Sequence, residues 1–144
     1  MKKSIITLVA VIAILSANAQ KSDSLKKLAA DTTIFTTVEM QPEFPGGNDN
    51  FLKFIGKNIR YPSDARRVNK QGKVIVQFII EKDGSVTNVK VLRPLFPSID
   101  SEAIRVVSSS AKWKPGMQKG QGVRVSYVVP ITFNIDNHVY FNLH

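Results

Sequence analysis

Between Gln121 and Ile135 apolar and polar residues alternate almost without a break. Val123, Val125, Tyr127, Val129, Ile131, Phe133 and Ile135 share one face, and Arg124, Ser126, Val128, Pro130, Thr132 and Asn134 share the other. A period of two sustained over that length predicts a long strand with one buried and one wetter face. Pro130 has no N–H to give to a ladder, which confines it to a sheet edge or a bulge. The run therefore reads as an edge strand. An open edge is either covered or used to pair with another chain's strand.

Upstream, the pattern changes period several times. Ile34 to Met40 predicts a short strand, and Gln41 to Gly47, with two prolines and a glycine pair, predicts an irregular turn. Phe51, Leu52, Ile55 and Ile59 then make an apolar stripe, which predicts a helix from Asn50 to about Asn58 capped by Asn48 or Asp49. Pro62 suits the first position of a second, short helix through Arg67. From Gly72, the residues Val74, Val76, Phe78 and Ile80 share the face of a strand. Asp83-Gly84 is a hairpin turn signal, and Ser85 to Leu92 returns as the next strand. Ile99, Ala103, Val106, Val107 and Ser110 recur at helical spacing behind Ser98 as N-cap, and Trp113 to Gly116 ends that helix. The last two strands and the helix between them form a βαβ unit. If the last strand lies beside the first, the sheet order is 2-1-3 and the last strand is an edge.

The N-terminus adds an address. Lys2 and Lys3, the apolar run Ile5 to Leu15 and Ala17-Asn18-Ala19 have the layout of a secretory signal peptide cleaved after Ala19. The apolar run is shorter than the roughly 20 residues that span a bilayer, so the expectation is a periplasmic protein with no stable membrane span after cleavage. The alternative is an inner-membrane anchor that is retained. Losing Lys2 and Lys3 leaves 18 basic against 11 acidic residues, a net charge of +7. On an exported chain this favours solubility or acidic partners and argues against nucleic acid. With no cysteine there are no disulfides, no thiol chemistry and no cysteine-ligated metal, so burial alone must stabilise the domain. His138 and His144 are the only histidines and lie in the tail, and Ser108-Ser109-Ser110 has no neighbouring base. Catalysis and a metal or other cofactor are therefore not expected.

Taken together, several landmarks resemble the TonB C-terminal domain family. They are Tyr61-Pro62 with Ala65, Gly72-x-Val74-x-Val76, Asp83-Gly84, Val89-x-Val91, Ile99-Asp100 with Ala103, Trp113-x-Pro115 and Pro130-Ile131-x-Phe133. The lead-in from Met40 to Gly47 is similar to the version found in Bacteroidetes-type bacteria. The resemblance implies an α+β fold of two layers, a three-stranded antiparallel sheet in the order 2-1-3 with helices on one face. With the leader read above, the chain divides into a signal peptide at 1–19, a leader at 20–47, a domain at 48–136 and a tail at 137–144. Members of this family couple inner-membrane proton flow to outer-membrane transporters by gripping an extended transporter segment along the last strand. Carried onto this chain, the partner-binding residues are Tyr61, Pro62, Val123, Arg124, Val125, Ser126, Tyr127, Val128 and Val129, with pairing firmest before Pro130. The partner is a segment of an outer-membrane TonB-dependent transporter. The alternatives are an energy transducer anchored by its leader, or a homodimer in which the edge strand pairs with a second copy.

The chain also departs from the family pattern. The stretch Gln20 to Thr33 has no proline and reaches about 50 Å when fully extended, short for crossing a periplasm. Of the family's pentapeptide around Tyr-Pro, only Tyr61-Pro62 is present. Other conspicuous residues have plainer readings. Trp113 fits the core, its spacing continuing the helix stripe, and Asp83 fits turn chemistry. The basic run from Lys53 to Lys73 fits a solvated helix face or the steering of an acidic partner, and Tyr61 fits either the partner or packing between the two short helices.

Overall fold

In a computed structural model, which describes residues 32–136, the long alternating run forms β5 (Gln121–Phe133) and is an inner strand over part of its length. Every element named below lies in the unit that begins at Ile34. The expectations for residues 1–31 and 137–144 fall outside the described residues.

In chain order the elements are β1 (Ile34–Phe35), α1 (Asn48–Asn58), α2 (Ser63–Arg67), β2 (Gly72–Ile80), β3 (Val86–Arg93), α3 (Pro97–Ser108), β4 (Gly116–Gln118) and β5. The sheet runs β1-β5-β2-β3, with β4 also paired to β5. The expected 2-1-3 order survives as the antiparallel trio β3-β2-β5. The three-stranded, wholly antiparallel sheet does not: β1 joins β5 in parallel and β4 joins it antiparallel, giving a five-stranded mixed sheet. The cause is a mismatch of length. β5 has 13 residues and β2 has 9, and their register matches Gly72 with Phe133 and Ile80 with Val125. Residues before Val125 overshoot the end of β2, and their backbone groups need other partners. β4 pairs with Gln121 to Val123, and β1 pairs with Arg124 and Val125.

One sheet face carries the core. Val74, Val76, Phe78 and Ile80 of β2 and Val129, Ile131 and Phe133 of β5 are buried there. They form one cluster with Phe51 and Ile55 of α1, Ala65 of α2, and Ile99, Ala103, Val106 and Val107 of α3. Trp113 belongs to this core, though not by prolonging a helix stripe. α3 ends at Ser108, and the indole reaches inward from the coil beyond, its Nε1–H donating to Ser110 Oγ at 2.8 Å. Around it lie Phe44, Phe51, Phe78 and Tyr127, with ring centroids 4.8–5.8 Å away. Phe44 comes from the Pro-Gly segment expected to be a mere turn. Reciprocal backbone bonds between Glu43 and Lys114, of 3.0 and 2.8 Å, hold that segment beside the coil.

The helix starts differ in detail from the expected caps. Gly47, at φ 90, occupies the position before α1, and Asn48 and Asp49 lie inside the helix. Phe96 and Pro62 precede α3 and α2. Asp100 accepts the Leu95 N–H at 2.9 Å and so satisfies an amide just ahead of α3. Within α1, Gly56 is exposed, and a Cβ built on it would meet nothing within 4 Å. Gly56→Ala should therefore raise stability by about 1 kcal/mol through helix propensity alone, which a denaturant titration would register as a higher midpoint at unchanged slope.

Candidate functional site

The two outer edges of the sheet differ in kind. On β3 the ladder with β2 slips twice, between Ile75/Val76 and between Gln77/Ile79. Asn88, at φ 48, sits in the second slip. Bulges of this sort twist an edge away from regular pairing and protect it against another strand. The β5 ladder, by contrast, is continuous from Val125 to Phe133.

Pro130 fixes which backbone groups of β5 face outward. It pairs with Ile75 within that unbroken ladder. Since its nitrogen has no hydrogen, Ile75↔Pro130 must be a pair whose own N–H and C=O groups point away from each other. Alternation then turns Ser126, Val128 and Thr132 outward with it, and turns Tyr127, Val129, Ile131 and Phe133 toward β2. Beyond the two residues of β1, no described strand lies on this side of β5. The open stretch therefore offers N–H and C=O at Ser126, Val128 and Thr132, and C=O alone at Pro130.

This geometry sorts the residues expected to bind a partner. Val123 is paired with Gly116 of β4, and Arg124 and Val125 are paired with Ile34 and Phe35 of β1. Val125 and Val129 bury their side chains. Ser126 and Val128 lie on the open stretch, and Val128 is 46% exposed. Tyr127 turns its ring onto Phe78 and Trp113 at 5.5 and 5.2 Å, and burial raises its pKa. Tyr61 packs edge-on against Phe133 at 5.8 Å, donates its hydroxyl to the Lys70 carbonyl and lies under the Arg66 guanidinium. Burial raises its pKa, and Arg66 works against that. Tyr61 thus fixes the turn after α1 against the end of β5, and Pro62 sets the start of α2. Pro130 and Thr132 complete the open edge and were not among the expected residues. The alternation contains the signal for them, once Pro130 is used to assign the outward set.

Arg124 has a structural occupation for its side chain as well. Its Nε donates to Glu81 Oε2 at 2.7 Å and a terminal nitrogen donates to Oε1 at 3.1 Å, while Thr87 Oγ1 donates to the same carboxylate at 2.5 Å. The Arg124 bonds foremost, then that from Thr87, hold the Glu81 pKa below its ordinary 4.5. A depressed carboxylate contributes stability that is complete above the unfolded pKa and is lost as pH falls through the folded one. Glu81→Gln should thus cost about 1 kcal/mol at neutral pH and flatten the decline in stability below pH 4.5. Chemical denaturation at a series of pH values would show it, and parallel acid limbs in the two proteins would refute it.

Among the described residues no three His, Cys, Asp or Glu gather as for a metal ion, and no helix is long and apolar enough to cross a membrane.

Comparison with known proteins points in one direction. Residues 57–135 match the family model for the C-terminal region of the Gram-negative bacterial TonB protein. Protein TonB of Helicobacter pylori, from strains 26695 and J99, is 32% identical over 104 residues, which are 69% of this chain. Those residues are 35% and 36% of the relatives, so the chain spans about a third of their length. Two NMR solution structures of the Helicobacter pylori TonB C-terminal domain are also similar. The shorter is 26% identical, covering 60% of this chain and 91% of its own, with a TM-score of 0.46. The longer is 28% identical, covering 62% and 85%, with a TM-score of 0.48.

Proposed function

Because the chain belongs to the family of Gram-negative bacterial TonB C-terminal domains, we propose that it is a binding module of TonB-dependent transport. It holds an extended segment of an outer-membrane transporter as an added strand on β5, between Ser126 and Thr132. The observation that supports this is the set of outward backbone groups at Ser126, Val128, Pro130 and Thr132, on a regular ladder with no described strand beside them. Main-chain bonds give such a module its affinity, and side chains on alternate positions give it selectivity.

A peptide from an extended segment of such a transporter should shift the amide resonances of Ser126, Val128 and Thr132 in a heteronuclear titration. An absence of shifts on β5 at millimolar peptide sinks the proposal. Dimerisation that protects the same amides without peptide would favour self-pairing instead. We also place the working protein in the periplasm, its leader removed after Ala19. Mass spectrometry of the exported protein should give a chain beginning at Gln20, and a retained Met1 would replace this with an anchored energy transducer.

A further inference from the structure

The loop from α2 to β2 stands at the end of the sheet opposite the Asp83-Gly84 hairpin, and contacts within the domain fix its shape. Asn69, at φ 54, ends α2 in a left-handed cap. Its N–H donates to the Arg66 carbonyl at 3.1 Å, and the Lys70 N–H donates to the Ala65 carbonyl at 2.9 Å. The Tyr61 hydroxyl donates to the Lys70 carbonyl, and the Arg66 guanidinium lies over the Tyr61 ring. Held in this way, Val68 presents its side chain to solvent. It is 59% exposed, more than any other large apolar side chain among the described residues.

The charges around Val68 are mostly of one sign. Residues 60–73 hold five cations, Arg60, Arg66, Arg67, Lys70 and Lys73, and one acid, Asp64. Asp64 accepts the Ser98 hydroxyl at 2.8 Å, which ties α2 to α3. A second acid, Asp136, follows Ile135, whose N–H donates to Gln71 Oε1 at 3.2 Å. Even with both acids the loop is net basic. At the hairpin end Arg124 pairs with Glu81 and Lys112 with Asp83, whereas Arg66, Arg67, Lys70 and Lys73 form no salt bridge among the described residues. A free anion would satisfy these cations but leave Val68 in water. A phospholipid leaflet, charged at its surface and apolar just beneath, meets both requirements. We propose that this loop docks the domain on an anionic bilayer surface, with Val68 entering between the headgroups and Arg67, Lys70 and Lys73 meeting their phosphodiesters. Because the loop is already shaped, docking has little ordering entropy to overcome.

Co-sedimentation of the exported protein with vesicles tests this. Vesicles of equal parts phosphatidylglycerol and phosphatidylcholine should bind it at least about tenfold more tightly than phosphatidylcholine alone. Each basic residue near an anionic leaflet strengthens attachment about fivefold, so Arg67→Gln/Lys73→Gln should weaken it roughly 20-fold. Val68→Ser should weaken it about threefold. All three side chains are exposed, so these variants should melt with the parent. Lys112→Gln/Lys114→Gln removes the same charge at the hairpin end and should leave vesicle binding unchanged. Equal affinity for the two kinds of vesicle overturns the docking surface. Equal losses in the two double variants overturn it as well, since the binding would then follow net charge alone. Unchanged affinity in Val68→Ser overturns the insertion. Displacement from vesicles by inorganic phosphate at matched ionic strength overturns the bilayer as occupant. None of these failures touches strand addition on β5, which the amide shifts test separately.

Discussion

Val128→Pro is expected to abolish capture of an extended segment in a domain that stays folded, whereas Val129→Pro is expected to unfold it. The two valines are neighbours on one strand, paired with Gln77 and Val76 of β2. They differ in the direction of their amide hydrogens. In the ladder that accommodates Pro130, the Val128 N–H points outward and the Val129 N–H points to β2. Proline at 128 therefore removes no internal bond. On this edge it should cost about 1 kcal/mol or less, its fixed φ being the main strain. Proline at 129 removes a ladder bond in the buried centre and should cost at least about 3 kcal/mol. For a partner strand the order is reversed. Pro130 already denies it one donor, and losing the Val128 N–H leaves only Ser126 and Thr132. Affinity should fall at least about tenfold, the equivalent of roughly 1.4 kcal/mol. Thermal denaturation and a peptide titration on both variants test this together. If Val128→Pro unfolds the domain and Val129→Pro does not, the outward assignment is reversed, and the docking edge with it.

That assignment was half legible in the chain. Alternation placed every buried residue of β5 on the correct face, and Pro130 announced an edge, because both signals depend only on the local period and on a missing hydrogen. What could not be read was how much of that edge is free. The strand expected at Ile34 to Met40 is only Ile34–Phe35, three residues at Gly116–Gln118 carry no periodicity, and the pairing of both with the start of β5 could not be read from the pattern. Their presence shifts the available stretch from Val123–Val129 to Ser126–Thr132 and engages Arg124 and Val125 in structure. The burial of Phe44 was hidden for a similar reason. Prolines and glycines mark a segment as irregular, but whether its one aromatic reaches the core depends on the long-range pairing of Glu43 with Lys114. Trp113 was correctly placed in the core for a mistaken reason, since it enters from coil and not from a helix. Tyr61, balanced in the sequence between partner and packing, is held by three intramolecular contacts.

A loss of stability just as large is expected from Gly84→Ala, because the turn it occupies is also a wall of the core. Asp83 shapes the turn by accepting the Ser85 N–H and hydroxyl at 2.9 and 2.6 Å, and Gly84 adopts φ 84. An L-residue there incurs about 1–2 kcal/mol of left-handed strain. The greater cost comes from the coil behind it. Trp113 donates its backbone N–H to the Gly84 carbonyl at 2.8 Å, and a Cβ on Gly84 would lie 1.9 Å from the Trp113 carbonyl oxygen. That oxygen is backbone and cannot swing aside, so the turn and the coil must separate. Separation draws on the packing of Trp113 with Phe44, Phe51, Phe78 and Tyr127, whose complete loss costs about 3–5 kcal/mol. Gly84→Ala should therefore destabilise the domain by at least about 3 kcal/mol. Gly120 isolates the backbone contribution. Its φ is 72, and a Cβ there would meet nothing within 4 Å, so Gly120→Ala should cost only about 1 kcal/mol. Urea denaturation of the two variants measures the difference. Equal losses would mean that the approach of Trp113 to the turn contributes nothing, and that the hairpin and the aromatic cluster are stabilised independently.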